Sequence, residues 1–121
     1  MQVPHDAVLL RIYIGELAKF DHQPLYEVIV MKARTMGLAG ATVLRGPMGF
    51  GYSSEVHTAK ILRLSKDLPL VVEIVDSASK IEDFLSVVDP MMESGLITLE
   101  KVRVMRYGPD RPTEDGANAK R

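Results

Sequence analysis

Cysteine and tryptophan are both missing from the 121 residues. Without a thiol there is no disulfide, no thiolate nucleophile and no cysteine-based zinc site. Aromatics are scarce, three phenylalanines and four tyrosines, and no paired motif of the kind that stacks bases on a sheet is present. Neither sign of charge is in excess, since the formal net charge is −1. Nothing in bulk therefore points to DNA, RNA or an anionic membrane, and no nucleic acid is expected as partner. No apolar run approaches the ~20 residues that span a bilayer, so no direct membrane insertion is expected. Met1-Gln-Val-Pro-His-Asp6 lacks the basic start and apolar run of a secretory signal, and a cytoplasmic protein is expected. No Gly-x-x-x-x-Gly-Lys-Ser/Thr loop and no Ser/His/Asp arrangement occurs, so no catalytic residue is assigned.

What is present is an ordinary globular composition, 46% hydrophobic and 26% charged, in a length that suits one domain. Residues 1–7 read as an N-terminal arm, 8–107 as the folded domain and 108–121 as a disordered tail. In Val8-Leu-Leu-Arg-Ile-Tyr-Ile14 the alternation predicts a strand, with Val8, Leu10, Ile12 and Ile14 on one face. Pro24 suits a first helical position. Leu25, Val28, Ile29, Lys32, Ala33 and Met36 share one helical face, and Gly37 is the stop. A second strand covers about 40–46, and Ala59–Leu64 is open between strand and short helix. Leu70–Val75 is apolar on both faces, which predicts a central strand. Ser79 with Glu82 has the spacing of a capping box, Ile81, Phe84, Leu85 and Val88 form a buried face, and Pro90 ends that helix. Met91-Met92 reads as core filling, and Ile97–Tyr107 as the last strand.

Strand, helix, strand, strand, helix, strand predicts an α+β protein of ferredoxin-like βαββαβ type. Right-handed crossovers put two helices on one face of an antiparallel four-stranded sheet, with the first and third strands central. The other face then carries Leu9, Tyr13, Val71 and Val75, with Arg11 and Glu73 among them. Wet apolar surface of that kind is unfavourable, so a homo-oligomer that buries it is expected.

Gly37–Ser54 joins a helix end, a β-branched strand and a loop with Gly46, Pro47, Gly49 and Gly51. Such an exit can aim backbone N–H groups at an anion. It can equally be a bulge and hairpin loop whose glycines serve geometry alone. Gly37-Leu-Ala-Gly40-Ala-Thr42-Val43 followed by Gly49-Phe50-Gly51 resembles the PII nitrogen-regulatory signalling proteins. So do His57-Thr58, Leu68-Pro69 and Glu73-Ile74-Val75. Ile12-Tyr-Ile-Gly15-Glu16, Pro24-Leu-Tyr26 and Ala41-Thr-Val-Leu-Arg45-Gly46 are similar to a family of uncharacterised PII-like proteins, and the likeness runs over about 8–107.

The resemblance implies a PII-like homotrimer with a signal-transduction role, not an enzyme. A small effector, an adenine nucleotide (AMP, ADP or ATP), is implied at subunit clefts. The implied binding residues are Arg45, Gly46, Gly49, Phe50, Gly51, Arg103 and Arg106, with the arginines meeting phosphate oxygens. A flexible T-loop over 52–66 would then regulate a transporter or enzyme partner. Three departures stand out. PII proteins end the last strand with two alternating arginines before Thr-Gly, and here only Arg106 before Tyr107-Gly108 falls at a matching place, although Arg103 is near. Where PII proteins carry a phosphate-gripping Gly-Asp-Gly-Lys turn, this chain has Glu93-Ser94-Gly95-Leu96-Ile97. The T-loop tyrosine that some PII proteins have modified has no counterpart.

Outside the resemblance, His5, His22 and His57 lack ligand spacing and read as surface loop residues, so no metal site is assigned. Glu16, Asp21 and Glu27 surround the first loop, with Asp21 read as a helix-entry residue. Lys60, Arg63 and Lys66 read as a solvated face, or as contacts for ligand phosphates or an acidic partner. A small trimeric enzyme or metal-binding protein on the same fold, using Glu16, His22 or His57, is the alternative.

Overall fold

The fold was obtained as a computed structural model that describes residues 3–50, 57–58 and 67–109. Four strands form the main sheet: β1 (Asp6–Gly15), β2 (Thr42–Arg45), β3 (Pro69–Asp76) and β4 (Leu96–Arg103). Their order across the sheet is β2-β3-β1-β4, and every pairing is antiparallel. Helices α1 (Leu25–Thr35) and α2 (Ala78–Val88) make the two crossovers. This is the expected ferredoxin-like α+β arrangement, with the first and third long strands in the centre.

The alternation of β1 and β3 decides which face is covered. Leu10, Ile12 and Ile14 pair across from Ile74, Val72 and Leu70, and all six are buried. Onto that row pack Leu25, Ile29 and Ala33 from α1 and Ile81, Phe84 and Val88 from α2. A side chain of this kind contributes roughly 1.5–3 kcal/mol when fully buried. The odd-numbered residues of β1 and β3 face the opposite way, on a face that no helix covers.

Local signals hold for most elements. Gly37 follows α1 with φ +78°, the left-handed geometry of a helix stop, and its N–H donates to the Arg34 carbonyl. Pro90 sits in a 3₁₀ turn, Asp89–Met91, just after α2 ends.

Five boundaries differ from expectation, each for a local reason. β1 begins at Asp6, two residues before Val8, and Val3 is buried (3% exposed), so the expected arm is docked from Val3 onward. The tie is the Val104 N–H donating to the His5 carbonyl at 2.8 Å. β4 stops at Arg103 because its β1 partner runs out at Asp6, so Val104–Tyr107 is not part of that strand. Asp21 does not enter a helix. With φ +53° and His22 at +67°, it turns a two-residue hairpin between Lys19–Phe20 and Gln23–Pro24, a corner that Asp tolerates. Pro24 holds the cap position of α1, with Leu25 first in the helix. The cap of α2 is Ser77, whose Oγ accepts from the Lys80 N–H at 3.2 Å. Lys80 thus occupies the third helical position, and Ser79 with Glu82 forms no capping box. Residues 59–64 and the tail beyond Pro109 lie outside the described residues.

Candidate functional site

The uncovered sheet face holds a cavity of about 630 Å³ at the end where β1 begins and β3 ends. That is within the size range of small-molecule sites. Its floor is Leu9, Thr42, Glu73 and Val75. One wall is the loop Ala39–Ala41, which runs from the α1 stop into β2. The other is Val102–Tyr107, where the chain leaves β4 and turns over the sheet. Val3 of the docked N-terminal segment also lines it.

The loop wall is held firmly. Asp76, the last residue of β3, is 1% exposed, and its carboxylate accepts from Ala39 N–H at 2.8 Å and Ser77 N–H at 2.7 Å. A buried carboxylate is tolerated when backbone donors satisfy it in this way. The Lys80 ammonium donates to the Gly37 carbonyl at 2.7 Å. The two walls meet where the Tyr107 hydroxyl donates to the Ala39 carbonyl at 2.5 Å.

Two arginines and one carboxylate give the cavity its charge. Arg103 donates through Nε to His5 Nε2 at 2.9 Å. Arg106 donates through Nη1 to the Pro109 carbonyl at 3.3 Å. Each guanidinium has five N–H donors in all, so both retain capacity for an anion. Glu73 is held by Arg11, whose Nε reaches Glu73 Oε2 at 3.0 Å and whose Nη1 reaches Glu100 Oε1 at 3.3 Å. The hydrogen bond to Glu73 raises the Arg11 pKa above its ordinary value. A cation whose folded pKa is raised adds stability that is present below the unfolded value and lost only above the folded one. Both lie far above neutral, so Arg11 stays charged wherever the protein is handled.

The residues that the PII resemblance implies fall into two sets. Arg103 and Arg106 line the cavity. Arg45, Gly46 and Gly49 are at the other end of the sheet, beside the Gly15↔Pro69 pair. Arg45 is three residue steps along β2 from Thr42 of the cavity floor, and Pro69 four along β3 from Glu73, ~10–13 Å at ordinary strand rise. There the Gly46 N–H donates to the Pro69 carbonyl at 2.8 Å, and a Cβ on Gly46 or Gly49 would meet the Pro69 ring at 3.0 or 3.1 Å. These two glycines therefore serve close packing in the single chain. Arg45 pairs with Glu16 at 2.6 Å. Phe50 is 66% exposed, and Gly51 lies outside the described residues. Met48–Gly49 pairs with His57–Thr58 in a two-residue antiparallel ladder. Lys60, Arg63 and Lys66 fall outside the described residues.

Of the residues weighed for acid–base or metal chemistry, Glu16 is engaged by Arg45, while Asp21 and His22 form the exposed hairpin corner. Among the described residues no three His, Asp or Glu side chains gather where they could hold a metal ion. Thr42, Glu73 and Tyr107 were not singled out as site residues. Thr42 and Glu73 lie within stretches that carry the PII resemblance, and for Glu73 a polar residue on the uncovered row of a central strand is the available signal. Tyr107 had no local signal, because its partner is 68 residues away.

A profile of the DUF190 family, described as Uncharacterized ACR, matches residues 7–104. A UPF0166 protein of Aquifex aeolicus is 41% identical over 97 residues, covering 80% of this chain and 91% of that one. The UPF0166 protein MJ1524 of Methanocaldococcus jannaschii is 33% identical over 101 residues, covering 83% and 93%. Among solved structures, the chain is similar to CPII, a nitrogen regulatory PII-like protein from Thiomonas intermedia K12, bound to ADP, AMP and bicarbonate. The TM-score is 0.65 at 16% identity, over 84% of this chain and 90% of that one.

Proposed function

The chain belongs to the DUF190 family, and we propose that it is a PII-like signal-transduction protein that binds an adenine nucleotide at subunit clefts. The carrying observation is the cavity with Arg103 and Arg106 at its wall, in a chain with the fold of a protein bound to ADP, AMP and bicarbonate. The nucleoside lies along the apolar floor of Leu9 and Val75, with Thr42 and Glu73 as its polar contacts. The arginines take the phosphates or a companion anion as guanidinium forks do.

The cleft is shared between copies. Arg45 is three residue steps along β2 from Thr42 of the floor, ~10 Å, and pairs in register with Leu70 of the helix-covered row, so Arg45 and the Gly46–Gly49 turn are read as reaching the ligand of a neighbouring copy. The uncovered face supplies the surface for that neighbour: Leu44 on β2 and Leu96 on β4 are 50% and 55% exposed, flanking Val71 and Tyr13. A homotrimer meets both requirements. The stretch between Gly51 and Lys66 carries the signal to a partner, a transporter or an enzyme, and no chemical step is required of the protein.

The test is a titration of AMP, ADP and ATP, each with and without bicarbonate, by calorimetry and thermal shift. At a nucleotide concentration of 100 Kd the folded state gains ~2.7 kcal/mol, a rise of several degrees in Tm. Arg106→Gln is expected to weaken binding at least tenfold, the scale of a charged hydrogen bond. The absence of both heat and a Tm change with all three rules the reading out.

A further inference from the structure

We propose that Tyr107 is a positioning residue for the cavity: its hydroxyl latches a strap, residues 104–107, across the uncovered face and so sets where Arg106 stands. The inference rests on the reading of the cavity as a nucleotide site. It concerns residues at and beyond the end of the family match, which stops at residue 104.

The geometry is that of a short tether. The strap leaves the outer strand at Arg103, where Val104 N–H is still tied to the His5 carbonyl at 2.8 Å. It ends at Ala39, next to the opposite edge strand. Three strand spacings separate those edges, ~14 Å. Four extended residues reach ~13 Å. The tyrosine side chain adds its own length to that reach, which accommodates the bend at Met105, and the hydroxyl bond holds the far end of the strap beside Arg106. Arg106 immediately precedes the latch.

The landing point is independent of the strap. Ala39 is anchored by its own N–H to buried Asp76, and the preceding turn by Lys80 on the Gly37 carbonyl. Loss of the Tyr107 hydroxyl therefore leaves Ala39–Ala41 in place and removes the side-chain tie from the wall that carries the arginine, leaving the backbone bridge at Tyr107 to hold it less closely. The ring remains in Tyr107→Phe, so apolar packing at the wall is retained.

The experiment compares wild type, Y107F, R106Q and the double variant by calorimetric titration with AMP, ADP and ATP. Hydrogen exchange over residues 104–107 of the nucleotide-free protein is followed in parallel. Y107F is expected to weaken the best-bound nucleotide about fivefold, the scale of one net hydrogen bond. The double variant is expected to bind no more weakly than R106Q alone, because the latch acts through Arg106. Exchange over 104–107 is expected to quicken severalfold in Y107F. Unchanged affinity in Y107F, or losses that simply add in the double variant, overturns the proposal. If wild type binds none of the three nucleotides, the functional reading fails on its own. The latch is then judged by exchange: a severalfold rise upholds it, and no change overturns it.

Discussion

Asp76 is the side chain on which the cavity wall depends. It continues the buried row of Leu70, Val72 and Ile74, a place where a carboxylate is costly unless its oxygens are paired. Here they accept the N–H groups of Ala39 and Ser77. Asp76→Ala leaves both donors without this partner, and a loss of about 2–4 kcal/mol is expected from two such deletions. Urea unfolding monitored by circular dichroism measures it, and a change below about 0.5 kcal/mol contradicts the account. The alternation predicted the apolar members of this row and marked the chain's turn into α2. It could not reveal that Asp76 holds Ala39, 37 residues earlier, because that contact exists only once both elements sit on the sheet.

At the scale of elements, β1, β3, α1 and α2 were legible because each carries a periodic apolar pattern that one packed face requires. The segments that were misread are short and are decided by their surroundings. The corner at Asp21 and His22 adopts left-handed backbone that a neighbouring ladder selects. Ser77 takes the α2 cap from Ser79 because β3 ends at Asp76 and the helix begins two residues on. Gly95 belongs to the same class. It stands where PII proteins have their phosphate-gripping turn, and here it has φ +139°, with a Cβ that would come within 2.8 Å of the Tyr13 carbonyl oxygen. Its role is to let β4 start hard against β1. Gly95→Ala is expected to destabilise by about 1–3 kcal/mol through backbone strain. A thermal melt of the purified variant checks this, and a Tm equal to wild type would disprove it.

For the whole molecule the decisive feature is the asymmetry of the sheet. One face is closed by two helices. The other carries Leu44, Val71, Tyr13 and Leu96 around the Arg11–Glu73 pair. An isolated chain would leave these groups wet. Light scattering is expected to return three times the chain mass. Leu44→Glu, which adds a charge to the exposed edge of that face, is expected to shift the mass toward one chain while circular dichroism keeps its helix and sheet signal. A single-chain mass for wild type would contradict the shared cleft.

Sequence alone determined the class of fold, the two central strands and the covered face, since each follows from residues a few positions apart whose spacing must match one periodicity. The family likeness also marked Arg106, with Arg103 near the matching place, and both line the cavity. Only tertiary structure decided that Arg45 and the Gly46–Gly49 turn lie at the far end of the sheet from them, and that Tyr107 closes onto Ala39. Those facts depend on antiparallel register between distant segments. Register is set by the collective fit of the apolar rows, and no local stretch of the chain encodes it.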